Sequence, residues 1–331
     1  MFKLPAKYSL RVPKLAYFAV LLLVILIVGF YLFEVFGRSR QISGKKQFIG
    51  MVSSNLVSAD QSLDEVVKSL DIIDSNYKKA ISSDSGLEGA QYAVVIGDNQ
   101  KSLSQVETTK ENLGFQEGLV ARAKAPKEYE DLRIDFINYY SQADKLLLSL
   151  VDNFTFENNI LKVIATNSNQ DKIIKSDVWQ KANKDEIINY YKDLKNQAVL
   201  TLGELSKIKA SDKFLNYYNL EKSYFEFIGA TADQVINALQ KDEIVALGKD
   251  DPNQIERAYQ TAFSAQANIN NVTKQIIDER NRLLPLQVNR ADFDYLASVQ
   301  KSLEVKIKDY NQQLYKESRG KFALPFLGVY K

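Results

Sequence analysis

Asp242-Glu243 and Asp250-Asp251 are the nearest this chain comes to a reactive constellation. Two carboxyl pairs bracketing a short segment would suit a hard cation, and paired acids can also run acid–base chemistry such as glycoside hydrolysis. Neither reading gains support from what surrounds them. The spacing is not that of an EF-hand loop, and Asp251, followed by Pro252 and with Gln254 three residues on, has a simpler role as a helix N-cap. Other chemistries lack their side chains altogether. The chain contains no histidine and no cysteine, which removes Ser-His-Asp and Cys-His catalysis, imidazole acid–base work and ordinary zinc ligation. Neither G-x-x-x-x-G-K-[ST] nor G-x-G-x-x-G occurs, so a nucleotide has no phosphate cradle. Most remaining acids fall between the apolar positions of helical repeats, where solvated surface is their expected place. No catalytic, cofactor or metal site is therefore expected.

The aromatic residues, 18 Tyr and 17 Phe, are the other group with something to do. At helical spacing they belong to cores. Adjacent pairs such as Tyr139-Tyr140, Tyr190-Tyr191 and Tyr217-Tyr218 lie about 100° apart on a helix, which predicts that one ring of each pair sits near a rim. Rim aromatics make a surface suited to a protein partner or to self-association.

The elements that would carry these side chains are helical nearly throughout. Gly and Pro number only 14 and 6. Ile49, Val52, Leu56, Ala59, Leu63, Val66, Leu70, Ile73, Tyr77 and Ala80 alternate spacings of three and four, with Asp60, Asp64, Glu65, Lys68, Asp71, Asp74 and Lys78 between them. That is a coiled-coil-like seam. Residues 98–123 carry Leu103, Val106, Leu113 and Val120. Pro126 opens the next helix, lined by Tyr129, Leu132, Phe136, Tyr139, Ala143, Leu147, Leu150 and Phe154. A polar turn at 167–171 marks a boundary. Beyond it, Ile187, Tyr191, Leu194, Ala198, Leu202 and Leu205 line one helix, and Phe214, Tyr217, Tyr224, Ile228, Val235 and Leu239 the next. Ala258, Ala262, Ala265, Ile269, Val272 and Ile276 follow Asp251, while Phe293, Leu296, Leu303, Ile307, Tyr310 and Leu314 follow Pro285. The segments from Gly118 and Gly203 align without gaps at an offset of 85, each reading as helix, short turn, aromatic-rich helix.

The first of these turns, Lys124-Ala125-Pro126-Lys127-Glu128-Tyr129, resembles a hinge in bacterial lipoproteins and single-pass membrane proteins, in which Ala-Pro-x-Glu-Tyr joins two helices of an exported bundle. The resemblance implies a non-catalytic exported helical domain and carries over no functional residues.

A membrane is implicated directly by residues 15–33. They hold no charge, and fourteen of the nineteen are Leu, Ile, Val or Phe. At 1.5 Å per residue they reach roughly 28 Å, close to a bilayer's ~30 Å hydrocarbon core. Leu15, Leu22, Ile25, Val28 and Phe33 are assigned to the lipid-facing anchor, which is longer than a cleaved signal's apolar region. Basic residues balance across the span: Lys3, Lys7, Arg11 and Lys14 precede it, and Arg38, Arg40, Lys45 and Lys46 follow. A short leading tail ordinarily remains in the cytoplasm, which would place the body outside the plasma membrane. Residues 1–46 hold eight bases against one acid and 280–331 ten against five, leaving 47–279 at −10. An acidic body excludes nucleic acid as the main partner.

The expected organisation is all-α. Residues 1–14 form a basic tail, 15–36 a transmembrane helix, 37–45 a basic juxtamembrane segment, 46–166 a first antiparallel bundle, 170–318 a second, and 319–331 an apolar and basic tail. In that tail, Arg319, Lys321, Phe322, Phe326 and Tyr330 either tuck into a groove of the bundle or meet lipid or a partner. The function expected is a membrane-anchored interaction or scaffold module of the cell envelope. The alternatives are an extracytoplasmic sensor or ligand-binding bundle acting through a partner, and a cytoplasmic-facing coiled-coil scaffold.

Overall fold

The computed structural model describes residues 14–80, 90–167, 173–181, 183–240 and 253–319. Helices fill these segments, and none of the described residues is in a strand. They are α1 (Lys14–Ala80), α2 (Ala90–Arg122), α3 (Glu130–Asn167), the short α4 (Ser176–Gln180), α5 (Lys184–Leu205), α6 (Leu215–Gln240), α7 (Gln254–Arg282) and α8 (Pro285–Arg319).

Helix α1 is unbroken for 67 residues. Gly37 and Gly44 lie within it, and a Cβ added at either would meet nothing within 4 Å. From Leu21 to Phe33 its side chains are exposed, Leu22 at 61% and Phe33 at 79%, and Ile25 and Val28 likewise touch no protein core; the side chain of Leu15 lies outside the described set. It is the one helix among the described residues that is long and apolar enough to cross a membrane. From Phe48 onward the same helix changes character. Ile49, Val52, Leu56, Ala59, Leu63, Val66, Leu70, Ile73 and Tyr77 are all buried, as the spacing predicts, and Ala80 is half-buried.

The chain divides into two compact units drawn from non-contiguous segments. The first unit comprises Met1–Leu56, Leu119–Ile137 and Lys301–Lys331; the second comprises Val57–Gly118 and Asn138–Gln300. Within the second unit, side-chain pairs fix α1 and α2 as antiparallel neighbours. Gln116 donates to Ser58 at 3.0 Å, Gln105 to Glu65 at 3.1 Å and Asn76 to Asp98 at 2.9 Å, while the Ser69 and Ser102 hydroxyls share a hydrogen bond. The buried stripe of α2 is Val95, Asn99, Ser102, Val106, Thr109, Leu113, Gln116 and Val120. Its three-and-four spacing is unbroken, yet half of it is polar. Polar residues at such positions fix register at some cost in stability.

Helix α3 is buried on two faces, and this overturns one expectation. Leu132, Tyr139, Leu146, Asn153 and Ile160 form one heptad column, and Tyr140, Leu147, Phe154 and Leu161 another. Tyr139 and Tyr140 are therefore both about 1% exposed. The prediction of one rim ring per pair fails here because it assumed a single buried stripe. Tyr140 reaches towards α2, donating to Gln116 at 3.3 Å, while its ring meets Tyr139 edge-on at 5.4 Å. The rule holds in the other two pairs: Tyr190 and Tyr218 are only half-buried, and Tyr191 and Tyr217 are inside.

The two hinges at the offset of 85 fold alike. Pro126 and Ser211 are extended (φ −56°, ψ 145° and φ −79°, ψ 163°), and each leads into a single 3-10 turn, Lys127–Tyr129 and Asp212–Phe214. Pro126 therefore precedes the turn, and α3 starts only at Glu130. The amides of Tyr129 and Phe214 donate to the carbonyls of Pro126 and Ser211 at 2.8 and 2.9 Å. Each turn delivers a buried ring against a phenylalanine: Tyr129 on Phe48, and Phe214 on Phe156 at 4.7 Å.

In α5 and α6 the buried positions shift by one from two sequence assignments. Thr201 is buried and Leu202 half-buried; Phe225 is buried and Tyr224 half-buried. Asn183 caps α5, accepting from the amides of Asp185 and Glu186 at 3.1 and 3.3 Å. Helix α7 begins at Gln254 with Asn253 at its cap. Asp251 and Pro252, assigned to that start, lie outside the described residues, and Gln254 donates instead to the Leu239 carbonyl at 2.8 Å.

Candidate functional site

Where a helical bundle would ordinarily carry leucine, the second unit buries charge. Glu157 stands in the α3 column of Phe136, Ala143, Leu150 and Ile164, so the heptad delivers its carboxylate to the core. Arg280, 5% exposed near the end of α7, donates to Glu157 Oε1, and Asn99 of α2 donates to Oε2 at 3.0 Å. The guanidinium also lies over the Tyr77 ring of α1, 4.1 Å from its centroid. From α6, the buried Tyr217 and Glu221, one turn apart, add their fields. Five helices converge on this cluster.

The electrostatics follow from that enclosure. Burial alone would make Arg280 easier to deprotonate, but Glu157, Tyr77, Tyr217 and Glu221 together hold it more firmly protonated than a free arginine. Burial pushes the hydroxyls of Tyr77 and Tyr217 above their ordinary range, with the neighbouring carboxylates adding to the effect and Arg280 opposing it. Tyr217 Oη has no hydrogen-bond partner among the described residues. Enclosed and drawn from five helices, the cluster is suited to holding them in one arrangement.

Asp74 adjoins the cluster with a different property. It is 5% exposed on α1 and accepts from the backbone of Leu286 in the first turn of α8, where a helix end favours negative charge. Burial raises its pKa from 3.8 to about 6, with Asp71 and Glu157 pushing the same way against Lys78.

A second group of side chains is aromatic. Trp179 of α4 meets Tyr191 at 5.9 Å and Tyr259 at 5.3 Å, both edge-on, and Tyr259 stacks with Phe263 at 6.2 Å. The run passes from the buried Trp179 to Phe263, which is 59% exposed. Phe115, Phe227 and Tyr295 are also exposed, each on its own helix.

In the first unit Lys45 ties three segments together. It bridges Glu128 at 3.2 Å and Glu317 at 3.3 Å while lying 5.8 Å from the Tyr129 ring centre. Tyr129 in turn stacks on Phe48 at 6.2 Å and tilts against Tyr310 at 4.6 Å. Desolvation works against the Lys45 charge, but the two carboxylates more than offset it and raise the pKa.

No family model matches the chain, and no curated protein or solved structure matches it either.

The residues assigned from sequence distribute unevenly over this picture. Leu22, Ile25, Val28 and Phe33 line the bare part of α1. Asp242, Glu243, Asp250, Lys321, Phe322, Phe326 and Tyr330 lie outside the described residues, and Arg319 is described only as the last residue of α8. Sequence reasoning missed Asp74, Glu157, Glu221 and Arg280 because it sent charged residues to the surface. The signal that would have found Glu157 is its place in an otherwise apolar heptad column.

Proposed function

We propose that this protein is a membrane-anchored, non-enzymatic helical scaffold or interaction module of the cell envelope. The observation that carries the reading is α1 itself: one unbroken helix is bare and apolar over Leu21–Phe33 and forms a buried seam from Phe48 to Tyr77. In this reading residues 15–36 cross the plasma membrane, 37–45 form the basic juxtamembrane segment, and helices beyond it build two bundles in tandem, 46–166 and 170–318. The direct packing of α5 on α6 and α6 on α7 supports a second bundle. Helix α3 is shared with it through Phe156 and Glu157. The body lies outside the cell, and the exposed rings of Phe115, Phe227, Phe263 and Tyr295 meet a protein partner or a second copy of the chain.

A ligand-binding bundle is the second reading, supported by the buried polar cluster around Arg280. It is the weaker one, since Glu157 already balances the charge of Arg280.

Because the chain has no cysteine, a single Asp64→Cys variant probes topology cleanly. A membrane-impermeant maleimide should label it in intact cells. Labelling only after permeabilisation would put the body in the cytoplasm and replace an envelope role with a cytoplasmic coiled-coil scaffold. A photo-crosslinking residue at Phe263 should then give a discrete larger species. No crosslink from Phe115, Phe227, Phe263 or Tyr295 would remove the interaction role.

A further inference from the structure

Three stretches distant in sequence meet at the end of the first unit from which the apolar part of α1 emerges. Tyr129 on Phe48 sets the α2–α3 hinge at the level of residues 45–48 of α1, and Glu317 on Lys45 sets the end of α8 there too. Lys306 pairs with Asp135 further from the anchor, so α8 runs back along the unit towards the membrane end. The segments so gathered, 37–46, 122–129 and 314–319, carry nine bases and two acids. Both acids, Glu128 and Glu317, are turned onto Lys45. Arg40, Lys46, Lys124, Lys127 and Lys316 are left exposed. Against a body that is acidic over residues 47–279, this is a local reversal of charge. It lies near the bilayer as well: Lys45 is nine residues beyond Phe36, about 14 Å along a helix.

We infer that this end of the first unit is a docking face for anionic lipid headgroups. The inference rests on the anchored reading above. Arg40 and Lys46 from α1, Lys124 and Lys127 from the hinge, and Lys316 from α8 form a collar around the emerging helix and hold the unit down on an acidic leaflet. Each such cation is worth about 1 kcal/mol at a negatively charged membrane surface, which is about fivefold in the docked-to-undocked ratio. Glu128 and Glu317 serve the face by clamping its three segments together through Lys45.

The test uses the full chain in vesicles of phosphatidylcholine alone or with phosphatidylglycerol. An environment-sensitive fluorophore is placed at Tyr315→Cys, an exposed α8 position, and separately at Val28→Cys in the apolar span. Headgroup-labelled nitroxide lipids should quench the Tyr315 site in the acidic vesicles, and quenching should fall away in phosphatidylcholine. The variant Lys124→Gln/Lys127→Gln/Lys316→Gln should lower the docked-to-undocked ratio roughly hundredfold at unchanged helicity. A Val28 site buried in lipid with a Tyr315 site in water in both vesicle types would overturn the inference and leave the anchor standing. A Val28 site in water would overturn both.

Discussion

Removing one partner of the Arg280–Glu157 pair tests whether this cluster organises the second unit. In Arg280→Met the Glu157 carboxylate, only 16% exposed, keeps Asn99 at 3.0 Å but loses its cation. Tyr77 also loses the guanidinium 4.1 Å from its ring centre. Orphaning one member of a buried ion pair costs about 3–5 kcal/mol, and a desolvated cation–π contact contributes about 1–2 more. Structural relaxation and water entry reduce the sum, so about 4 kcal/mol is expected, a large share of a typical stability of about 5–15 kcal/mol. For a body of this size that is a fall of about 8–16 °C in Tm, at about 2–4 °C per kcal/mol. The double variant Glu157→Leu/Arg280→Met removes both charges and should recover most of the loss, so that it costs far less than the two single variants together. The assay is a double-mutant cycle by urea denaturation of the full chain in detergent, followed by circular dichroism. Single variants costing under about 1 kcal/mol, or a double variant as costly as the singles together, would refute the reasoning.

Asp74 should make stability depend on acidity. Its folded-state pKa lies above the ordinary value, so the folded protein binds the proton more tightly, and stability falls as pH rises from about 4 to about 6. Asp74→Asn should flatten that window and stabilise by about 3 kcal/mol above it; Tm measured at pH 4, 5, 6 and 7.5 checks both the sign and the range. Leu70→Asp places an unpaired charge in the fully buried seam of α1 and should cost about 4 kcal/mol or more, read as loss of a cooperative melt. Gly114 is exposed within α2 with nothing within 4 Å of where a Cβ would sit, so Gly114→Ala should raise stability by about 0.5–1 kcal/mol in the same denaturation assay.

The all-helical architecture was legible because heptad spacing is a direct readout of burial. Every assigned seam position from Ile49 to Tyr77 is inside. The same logic, applied only to apolar residues, saw half of α2. Asn99, Ser102, Thr109 and Gln116 occupy core positions that the spacing marks but the residue types conceal. It also assumed one buried stripe per helix, which fails for α3, where Tyr139 and Tyr140 both turn inward. The charged cluster was hidden for a physical reason: Glu157 and Arg280, 123 residues apart, are each unsuited to a core and become compatible with it only as a pair. No local pattern reports a partner that distant. The division into two compact units was equally out of reach, because each is assembled from segments far apart in the sequence.

The proposed function rests on α1 continuing from a membrane anchor into the buried seam as one unbroken helix. Spin labels at Phe36→Cys and Asp64→Cys span Gly37, Gly44 and the start of the buried seam. In the full chain reconstituted in nanodiscs, an unbroken helix predicts one narrow distance of about 42 Å between their backbone positions. A broad or markedly shorter distribution would place a hinge between anchor and body and contradict the account.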